Sequence, residues 1–376
     1  MQKAASEHQA QKKPIIGVDC RLAGARHAGI GRYILNVAQR LPKATSSFQF
    51  VYFVSDLQQQ KELESEGRLA VSWKITPWRH YSLNEQLFMP RALSLQKLDL
   101  LHVPHFNAPL FYTGKLIVTI HDLLWHEYKG ITVTTLPSWQ YWLKYRAYQL
   151  VVASTIQRAT TILVPSQTVK KTLLKFYPRA QKKVIVTLEG ISLAAPISEI
   201  LPLKTKQLIY VGSLYPHKNV GCILEALRLL PNYNLVIVGA RNAFVDRFKS
   251  QVELLGLSKQ VDFKGYVSDS KLESLIASSL ALIQPSFSEG FGLTGLEAMA
   301  AGGVVLASDI PIFHEVYGTA ALYFNPKKPK ELAQQITSLT INKRQQLKRK
   351  ALQQLQQFSW EKTVTATLEQ YHHILS

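Results

Sequence analysis

Short apolar strands alternate with helical patterns in two separate series along this chain of 376 residues. The first series runs from the strand at Ile15–Asp19 to the one at Val184–Thr187, and the second runs from Gln207–Val211 to Ala321–Phe324. Strands that alternate with helices are typical of parallel sheets covered on both faces. The sequence therefore predicts an α/β protein with two Rossmann-like, doubly wound parallel-sheet domains. Ligands of such sheets bind outside the carboxyl ends of the strands, so we expect an interdomain cleft.

Domain boundaries follow from composition and periodicity. Residues 1–13 form a polar tail that we expect to be flexible, and the two domains occupy residues 14–195 and 207–355. Between them, residues 196–206 contain two prolines and little periodicity, which favours a linker. Residues 356–376 are expected to form a C-terminal helix that must pack on another part of the protein, with the N-terminal domain as one candidate.

The charge is strongly positive and uneven. The chain has 44 Lys and Arg against 25 Asp and Glu, a net charge of +19, and residues 1–195, with 25 cations and 11 anions, hold +14 of it. Such a balance favours polyanionic or phosphorylated partners. No nucleic-acid recognition motif is present, so nucleic acid is not an expected partner.

Targeting signals and cysteine usage indicate the compartment. Cys20 and Cys222 lie far apart and belong to no disulfide or metal motif, which favours a reducing environment. The polar start lacks the apolar run of a signal peptide, and no apolar run is long enough to span a bilayer. We therefore expect a cytoplasmic protein.

The segment from Gln284 to Met299 combines a strand end, a glycine-rich turn and a helix start. Free backbone N–H groups and the helix dipole form an anion site there, and glycines let a phosphate approach closely. Glu289 and Glu297 would repel an anion, so their useful role is to accept hydrogen bonds from sugar hydroxyls. A diphosphate flanked by two such carboxylates describes a nucleotide sugar. The competing interpretation is a solvent-facing glutamate and a capping glutamate on a core helix.

Two further segments follow strand ends. In the loop after Gln207–Val211, Lys218 can neutralise a phosphate and Ser213 can donate a hydrogen bond to it. The alternative for this loop is a surface lysine in a turn. His121, beside Asp122, ends a strand of the first series, where a lone histidine is more often structural or solvent-facing.

These segments together resemble the glycosyltransferase group 1 family, which is glycosyltransferase family 4 and has the GT-B fold. The resemblance extends from about Ile15 to Tyr371. It is carried by the spacing of Glu289 and Glu297 and by six short motifs. The motifs are Ala-Gly-Ile-Gly-Arg-Tyr at 28–33, Ile-His-Asp-Leu at 120–123, Val-Pro-Ser at 164–166, Gly-Ser-Leu-Tyr-Pro-His-Lys-Asn at 212–219, Ser-Glu-Gly-Phe-Gly-Leu-Thr-Gly-Leu-Glu-Ala-Met-Ala at 288–300 and Phe-Ser-Trp at 358–360.

The resemblance implies a donor-binding set in the second domain. Glu297 would bind the nucleotide ribose, Glu289 the donor sugar and Lys218 the diphosphate. The glycine-rich turn would hold the diphosphate through its backbone, and this turn comprises Gly290, Phe291, Gly292, Leu293 and Thr294. Ser213 stands where many members carry arginine, which puts one phosphate contact in doubt.

The resemblance also implies residues around that set. Gly29 and Gly31 match a glycine loop that closes over the donor, and Tyr266 and Val267 lie where family members read the base. The family histidine that corresponds to His121 points at the donor sugar. We therefore predict that His121 stabilises the transition state and, with Glu289 and Lys218, forms the catalytic group. Three further residues could reach the same cleft, namely His105, His126 and Glu127.

The resemblance implies a retaining, metal-independent glycosyltransferase, with the acceptor on the N-terminal domain. We expect transfer of a hexose, mannose being favoured, from a GDP- or UDP-linked donor to a hydroxyl of a glycan or lipid-linked acceptor in polysaccharide or glycolipid synthesis. No cofactor and no metal site are expected. The alternatives are a sugar-nucleotide epimerase and a non-catalytic protein that binds sugar nucleotides or glycans.

The stretch Trp139–Tyr148 is both aromatic and basic. It fits a core helix with snorkelling basic side chains, which we favour, or a helix at a membrane interface. A lipid-phosphate-linked acceptor at the inner membrane surface would account for the positive charge of the first half, so peripheral contact with an anionic membrane is a further hypothesis.

Overall fold

The computed structural model describes residues 12–192, 206–239 and 244–376. Its contacts divide the chain into two compact units. The first unit comprises Met1–Thr119, Val151–Leu163 and Val364–Ser376, and the second comprises Ile120–Leu150 and Val164–Thr363. Most of the predicted tail and almost all of the predicted linker lie outside the described residues, and the domain boundaries stay a prediction.

Seven strands form the N-terminal sheet, and every pairing between them for which a register is defined is parallel. They are β1 Ile15–Asp19, β2 Gln49–Val54, β3 Ser72–Ile75, β4 Leu100–Val103, β5 Leu116–Thr119, β6 Thr161–Val164 and β7 Val184–Val186. Their order is β3-β2-β1-β4-β5-β6-β7, so the chain winds outward from β1 in both directions. The strand β3 lies at the edge of the sheet and is half exposed, so it lacks the continuous apolar run that predicts a buried strand.

Six parallel strands form the C-terminal sheet, in the order β10-β9-β8-β11-β12-β13. They are β8 Gln207–Val211, β9 Asn234–Val238, β10 Val261–Gly265, β11 Ala281–Gln284, β12 Val305–Ser308 and β13 Ala321–Phe324. The winding direction reverses between the neighbours β8 and β11. Ligands of doubly wound sheets bind at this switch point. Both predicted phosphate-binding loops start there, because one follows β8 and the other follows β11.

Fourteen α-helices are assigned among the described residues. They are α1 Ala28–Ala44, α2 Leu57–Leu63, α3 Leu83–Ser94, α4 Leu124–Glu127, α5 Ser138–Arg158, α6 Gln167–Phe176, α7 Gly221–Leu227, α8 Val245–Leu254, α9 Asp269–Ser278, α10 Leu293–Ala300, α11 Pro311–Tyr317, α12 Pro329–Thr337, α13 Ile341–Leu355 and α14 Trp360–Leu375. Three of these helices, α12 to α14, follow one another after the last strand. Thr340 begins the second of them, its hydroxyl accepting a hydrogen bond from the Lys343 amide at 3.2 Å.

The C-terminal sheet is buried on both faces, as expected for a doubly wound domain. Leu208 and Tyr210 of β8 pack into one apolar cluster, whereas Ile209 between them packs into the other. Successive side chains of a strand point to opposite faces, so the two clusters cover the two faces of the sheet.

The end of α14 packs within the first unit. The Tyr371 hydroxyl lies 2.6 Å from Nδ1 of the buried His102 in β4, and its ring makes an edge contact with Phe48. Lys115 donates a hydrogen bond to the Ile374 carbonyl oxygen at 2.8 Å. These contacts attach the end of α14 to the N-terminal sheet. Across the described residues, no helix combines the length and apolarity needed to cross a bilayer.

Candidate active site

The first backbone amides of α10 have no side-chain cap. Gly292, with a φ of +95°, precedes the helix, and a Cβ there would lie 2.5 Å from the Tyr317 hydroxyl oxygen. That hydroxyl lies 2.6 Å from the Gly292 carbonyl oxygen and 2.7 Å from Oε1 of Gln284. Glycine supplies the left-handed conformation and has no side chain that could cap the first amides of the helix. These amides therefore remain suited to an anion.

Lys218 and Glu289 form an ion pair beside this helix start. Nζ of Lys218 lies 2.7 Å from both carboxylate oxygens of Glu289, and the Ser286 hydroxyl donates to Oε1 at 2.7 Å. The two side chains are only 21% and 14% exposed. Burial would raise the pKa of Glu289, but the Lys218 ammonium and the Ser286 hydroxyl outweigh it and hold the pKa below its usual value. The Glu289 carboxyl is therefore ionised at neutral pH.

Hydrogen bonds connect the loop after β8 to the loop after β11. Asn219 adopts a left-handed conformation, with φ at +53°. Its side-chain amide donates to the carbonyl oxygens of Pro285 at 3.0 Å and Pro326 at 2.8 Å. The Phe287 amide donates to the His217 carbonyl oxygen at 2.8 Å. The two segments that the sequence singled out separately therefore converge on one site.

His121 lies against the glycine-rich turn. A Cβ on Gly290 would be 2.5 Å from the His121 carbonyl oxygen, so only glycine allows this approach. Nδ1 of His121 lies 2.7 Å from Oε1 of Glu189, and both side chains are buried. The carboxylate favours the tautomer with its proton on Nδ1 and fixes the plane of the ring. The sequence analysis missed Glu189, whose place just after β7 was the available signal.

A cavity of about 390 Å³ opens beside the ion pair. Carboxylates and hydroxyls form part of its wall, and apolar side chains form the rest. The polar members are Asp122, Glu127, Tyr128, Thr168, Thr172, Ser288 and Glu289. Burial raises the pKa of Asp122, although the Leu124 amide hydrogen bond opposes the shift. A wall of this kind suits a ligand rich in hydroxyl groups.

Ser288 connects this wall to the glycine-rich turn. Its hydroxyl donates to Oε2 of Glu127 at 2.9 Å. Glu127, one of the further candidates from the sequence, therefore lies at the cavity. His126, another candidate, is held by the hydroxyls of Tyr148 and Tyr177 at 2.7 and 2.8 Å, which indicates a structural role.

The remaining predicted donor residues of the second unit follow strands or lie within α10. Ser213 follows β8, Tyr266 and Val267 follow β10, and Glu297 lies in α10. Tyr266 is 58% exposed, whereas Val267 is partly buried against the apolar cluster. Their assigned roles stay predictions.

The glycine loop and His105 belong to the first unit. Gly29 and Gly31 lie in the first turn of α1, where a Cβ on Gly31 would overlap the Gly24 carbonyl oxygen, whereas a Cβ on Gly29 would meet nothing within 4 Å. His105 is buried, and its Nε2 lies 3.2 Å from the Tyr81 hydroxyl.

The fold and this site define a class. Two doubly wound parallel sheets, with a helix start that has no side-chain cap and a lysine–glutamate pair at one switch point, are those of a GT-B glycosyltransferase. The structure of Anabaena Alr3699/HepE in complex with UDP and glucose has the same fold, with a TM-score of 0.73 at 18% identity over 96% of this chain and all of that one. WaaG, a glycosyltransferase involved in lipopolysaccharide biosynthesis, has a TM-score of 0.68 at 16% identity over 91% of this chain and 95% of that one.

Two family models match adjoining parts of the sequence. Residues 27–195 match the model described as Glycosyltransferase Family 4, and residues 196–354 match Glycosyl transferases group 1. The chain belongs to this glycosyltransferase family.

Two bacterial enzymes illustrate the relationship. The chain is 30% identical over 229 residues to the O-antigen chain mannosyltransferase RfbU of Salmonella typhimurium, a match that spans 60% of each chain. It is 28% identical over 372 residues to the O-antigen chain mannosyltransferase B of Escherichia coli, covering 91% of this chain and 95% of that one.

Proposed function

We propose that this protein transfers a hexose, with mannose favoured, from a nucleoside diphosphate sugar to a hydroxyl of a glycan or lipid-linked acceptor. The reaction retains the anomeric configuration and needs no metal or other cofactor. It serves cell-surface polysaccharide or glycolipid synthesis on the cytoplasmic side of the membrane. The observation that carries the proposal is the Lys218–Glu289 pair at the open start of α10. The mannosyltransferase relatives support the choice of sugar.

Donor binding follows from the charges at this helix start. The Lys218 ammonium and the first amides of α10 attract the diphosphate. In the free protein, Glu289 compensates the partly buried ammonium. A bound diphosphate takes over this compensation, which leaves the Glu289 carboxylate to accept hydrogen bonds from the hexose. Ser286 keeps that carboxylate in place through its 2.7 Å hydrogen bond.

The chemical step depends on charge stabilisation. As the bond to the hexose breaks, negative charge grows on the diphosphate, where Lys218 and the α10 amides are already oriented. His121, whose ring is fixed by Glu189, faces the developing positive charge of the sugar. The leaving phosphate oxygen takes the proton of the acceptor hydroxyl, so no protein side chain is needed as general base.

Both alternatives account for less of the site. An epimerase needs a proton-abstracting group at the sugar carbon and no acceptor. A binding protein has no need for a histidine whose tautomer is fixed by a buried carboxylate. Donor hydrolysis without acceptor separates the cases, because only a transferase releases nucleoside diphosphate and free hexose.

The test is a thermal-shift comparison of GDP-mannose, UDP-glucose and UDP-N-acetylglucosamine, followed by nucleoside diphosphate release with the donor that stabilises most. GDP-mannose is expected to give the largest shift, and Glu297→Ala and Lys218→Ala to lose it. Full activity of both variants would remove the site assignment. A larger shift with a UDP sugar would replace mannose and leave the transferase proposal standing.

A further inference from the structure

Three buried tyrosines form one face of helix α5. Tyr141, Tyr145 and Tyr148 are 6%, 5% and 8% exposed. Their spacing of four and three residues places them on one side of the helix. On this side the core interpretation of the aromatic stretch is right, since the rings pack on one another with centroids about 6 Å apart.

The opposite face of α5 is apolar and open to solvent. Its large side chains are Trp139 at 69% exposed, Trp142 at 45%, Leu143 at 66% and Leu150 at 71%. These positions fall on a single stripe, since they are separated by three, one and seven residues. Single exposed apolar side chains are ordinary, but a contiguous stripe with two tryptophans marks an interaction surface.

The charge on this helix points to the partner. The segment 138–158 contains Lys144, Arg146 and Arg158 and no aspartate or glutamate. Arg146 lies within the exposed stripe, and Lys144 is also exposed. Tryptophan prefers the boundary between lipid tails and headgroups, and cations nearby are attracted by anionic headgroups. We propose that the exposed face of α5 docks on an anionic lipid bilayer.

One short segment packs on the buried tyrosine face of α5 and reaches the candidate active site. The Trp125 ring, 53% exposed, lies 5.1 Å from the Tyr148 ring, and the Gly130 amide donates to the Tyr141 hydroxyl at 2.7 Å. The same segment supplies Glu127, bonded to Ser288, and lines the 390 Å³ cavity. Docking through the exposed face of α5 therefore holds the segment that lines the cavity one helix diameter, roughly 10 Å, from the bilayer surface. The use of this placement for a lipid-linked acceptor rests on the proposed function, whereas the docking itself does not.

Vesicle sedimentation tests the docking directly. The full chain is mixed with vesicles of phosphatidylcholine alone or with added phosphatidylglycerol, at physiological and at high salt. Binding is expected only with phosphatidylglycerol. The double variant Trp139→Ser, Trp142→Ser should bind about tenfold or more weakly. Lys144→Gln with Arg146→Gln should lose about fivefold per cation and become less sensitive to salt.

A matched control lies on α8. Leu254 is 87% exposed and Arg247 is exposed on the same helix, so Leu254→Ser with Arg247→Gln removes similar groups from another surface. The control should bind vesicles as the wild type does. Equal binding by the α5 and control variants, or no vesicle binding by the wild type, would overturn the proposal. A concentration-dependent dimer that Trp142→Ser abolishes would reassign the face to a second copy of this chain.

The outcome is separable from that of the proposed function. Each variant is also tested for thermal stabilisation by GDP-mannose, UDP-glucose and UDP-N-acetylglucosamine in the absence of vesicles. In the wild type, stabilisation without vesicle binding removes the docking and keeps the transferase, whereas the α5 variants are expected to lose vesicle binding and keep the stabilisation. Vesicle binding by the wild type without stabilisation by any of these donors keeps the docking and removes the transferase.

Discussion

Nζ of Lys218 lies 2.7 Å from both carboxylate oxygens of Glu289 across two loops that are 71 residues apart in sequence. Each charge offsets the cost of burying the other. Removing one partner of such a pair costs more than the pair contributes, because the remaining charge stays buried without compensation. The pair thus supports the loop that presents it, in addition to the donor contact proposed for it.

Lys218→Ala should lower kcat/KM for the donor by about 10²–10³-fold, because it removes a preorganised charge from the leaving diphosphate. The melting temperature should also fall, since Glu289 is left without its partner. Steady-state kinetics and a thermal melt measure the two effects. The control is Lys328→Ala, whose exposed ion pair with Glu331 contributes little. Unchanged kinetics in Lys218→Ala would contradict the site.

Glu189→Gln should lower kcat by about tenfold to a hundredfold while His121 stays in place. The amide keeps the shape of the carboxylate but no longer favours the Nδ1-protonated ring. His121→Ala should lose more. The pH dependence of kcat distinguishes a tautomer effect from a structural one, since only the former changes the profile.

Glu273→Gln, an exposed substitution in α9, serves as the control for this pair of variants. An unaltered pH profile in Glu189→Gln, together with a lowered melting temperature, would assign Glu189 a purely structural role.

Gly290→Ala should abolish most activity, because its Cβ would lie 2.5 Å from the His121 carbonyl oxygen. The glycine-rich turn and the segment that carries His121 would have to move apart. A displacement of about 1 Å at a reacting centre costs about a hundredfold in rate. Gly221→Ala is the matched control, since its Cβ would meet no atom closer than 3.5 Å. The measurement is donor turnover at saturating donor. Normal turnover in Gly290→Ala would show that the contact is not needed.

The sequence predicted the sheet strands well because buried parallel strands are continuous apolar runs. Ile15–Asp19 and Gln207–Val211 are examples with correct boundaries. It failed at β3, where the burial is partial and the run is short. The loop after β11 was predicted to bind the donor because a glycine-rich turn at a strand end, with two spaced carboxylates, is typical of a site for a phosphorylated ligand, and this role stays a prediction. Glu189 could not be predicted in the same way, because a single glutamate after a strand is common. Its role follows only from the tertiary contact with His121.

Gly29→Ala and Gly31→Ala should differ in effect. A Cβ on Gly31 would overlap the Gly24 carbonyl oxygen, so Gly31→Ala should distort the loop and lower the melting temperature. A Cβ on Gly29 has open space, so Gly29→Ala should leave the melting temperature unchanged. If Gly29 closes over the donor, its variant should raise KM for the donor without affecting stability. Unchanged donor KM in Gly29→Ala would remove that residue from the donor set.

His217 should make stability fall in mild acid. Burial, assisted by the neighbouring Lys218 charge, lowers the pKa of His217 from 6.5 to about 4. Between these two values the unfolded imidazole binds a proton that the folded one does not, so protonation favours the unfolded state and stability falls as the pH drops. His217→Gln removes this contribution, so its melting temperature should fall less between pH 7 and pH 5 than that of the wild type. His373→Gln, at an exposed position of α14, should behave like the wild type, and an equal loss in all three proteins would show that His217 does not control the acid sensitivity.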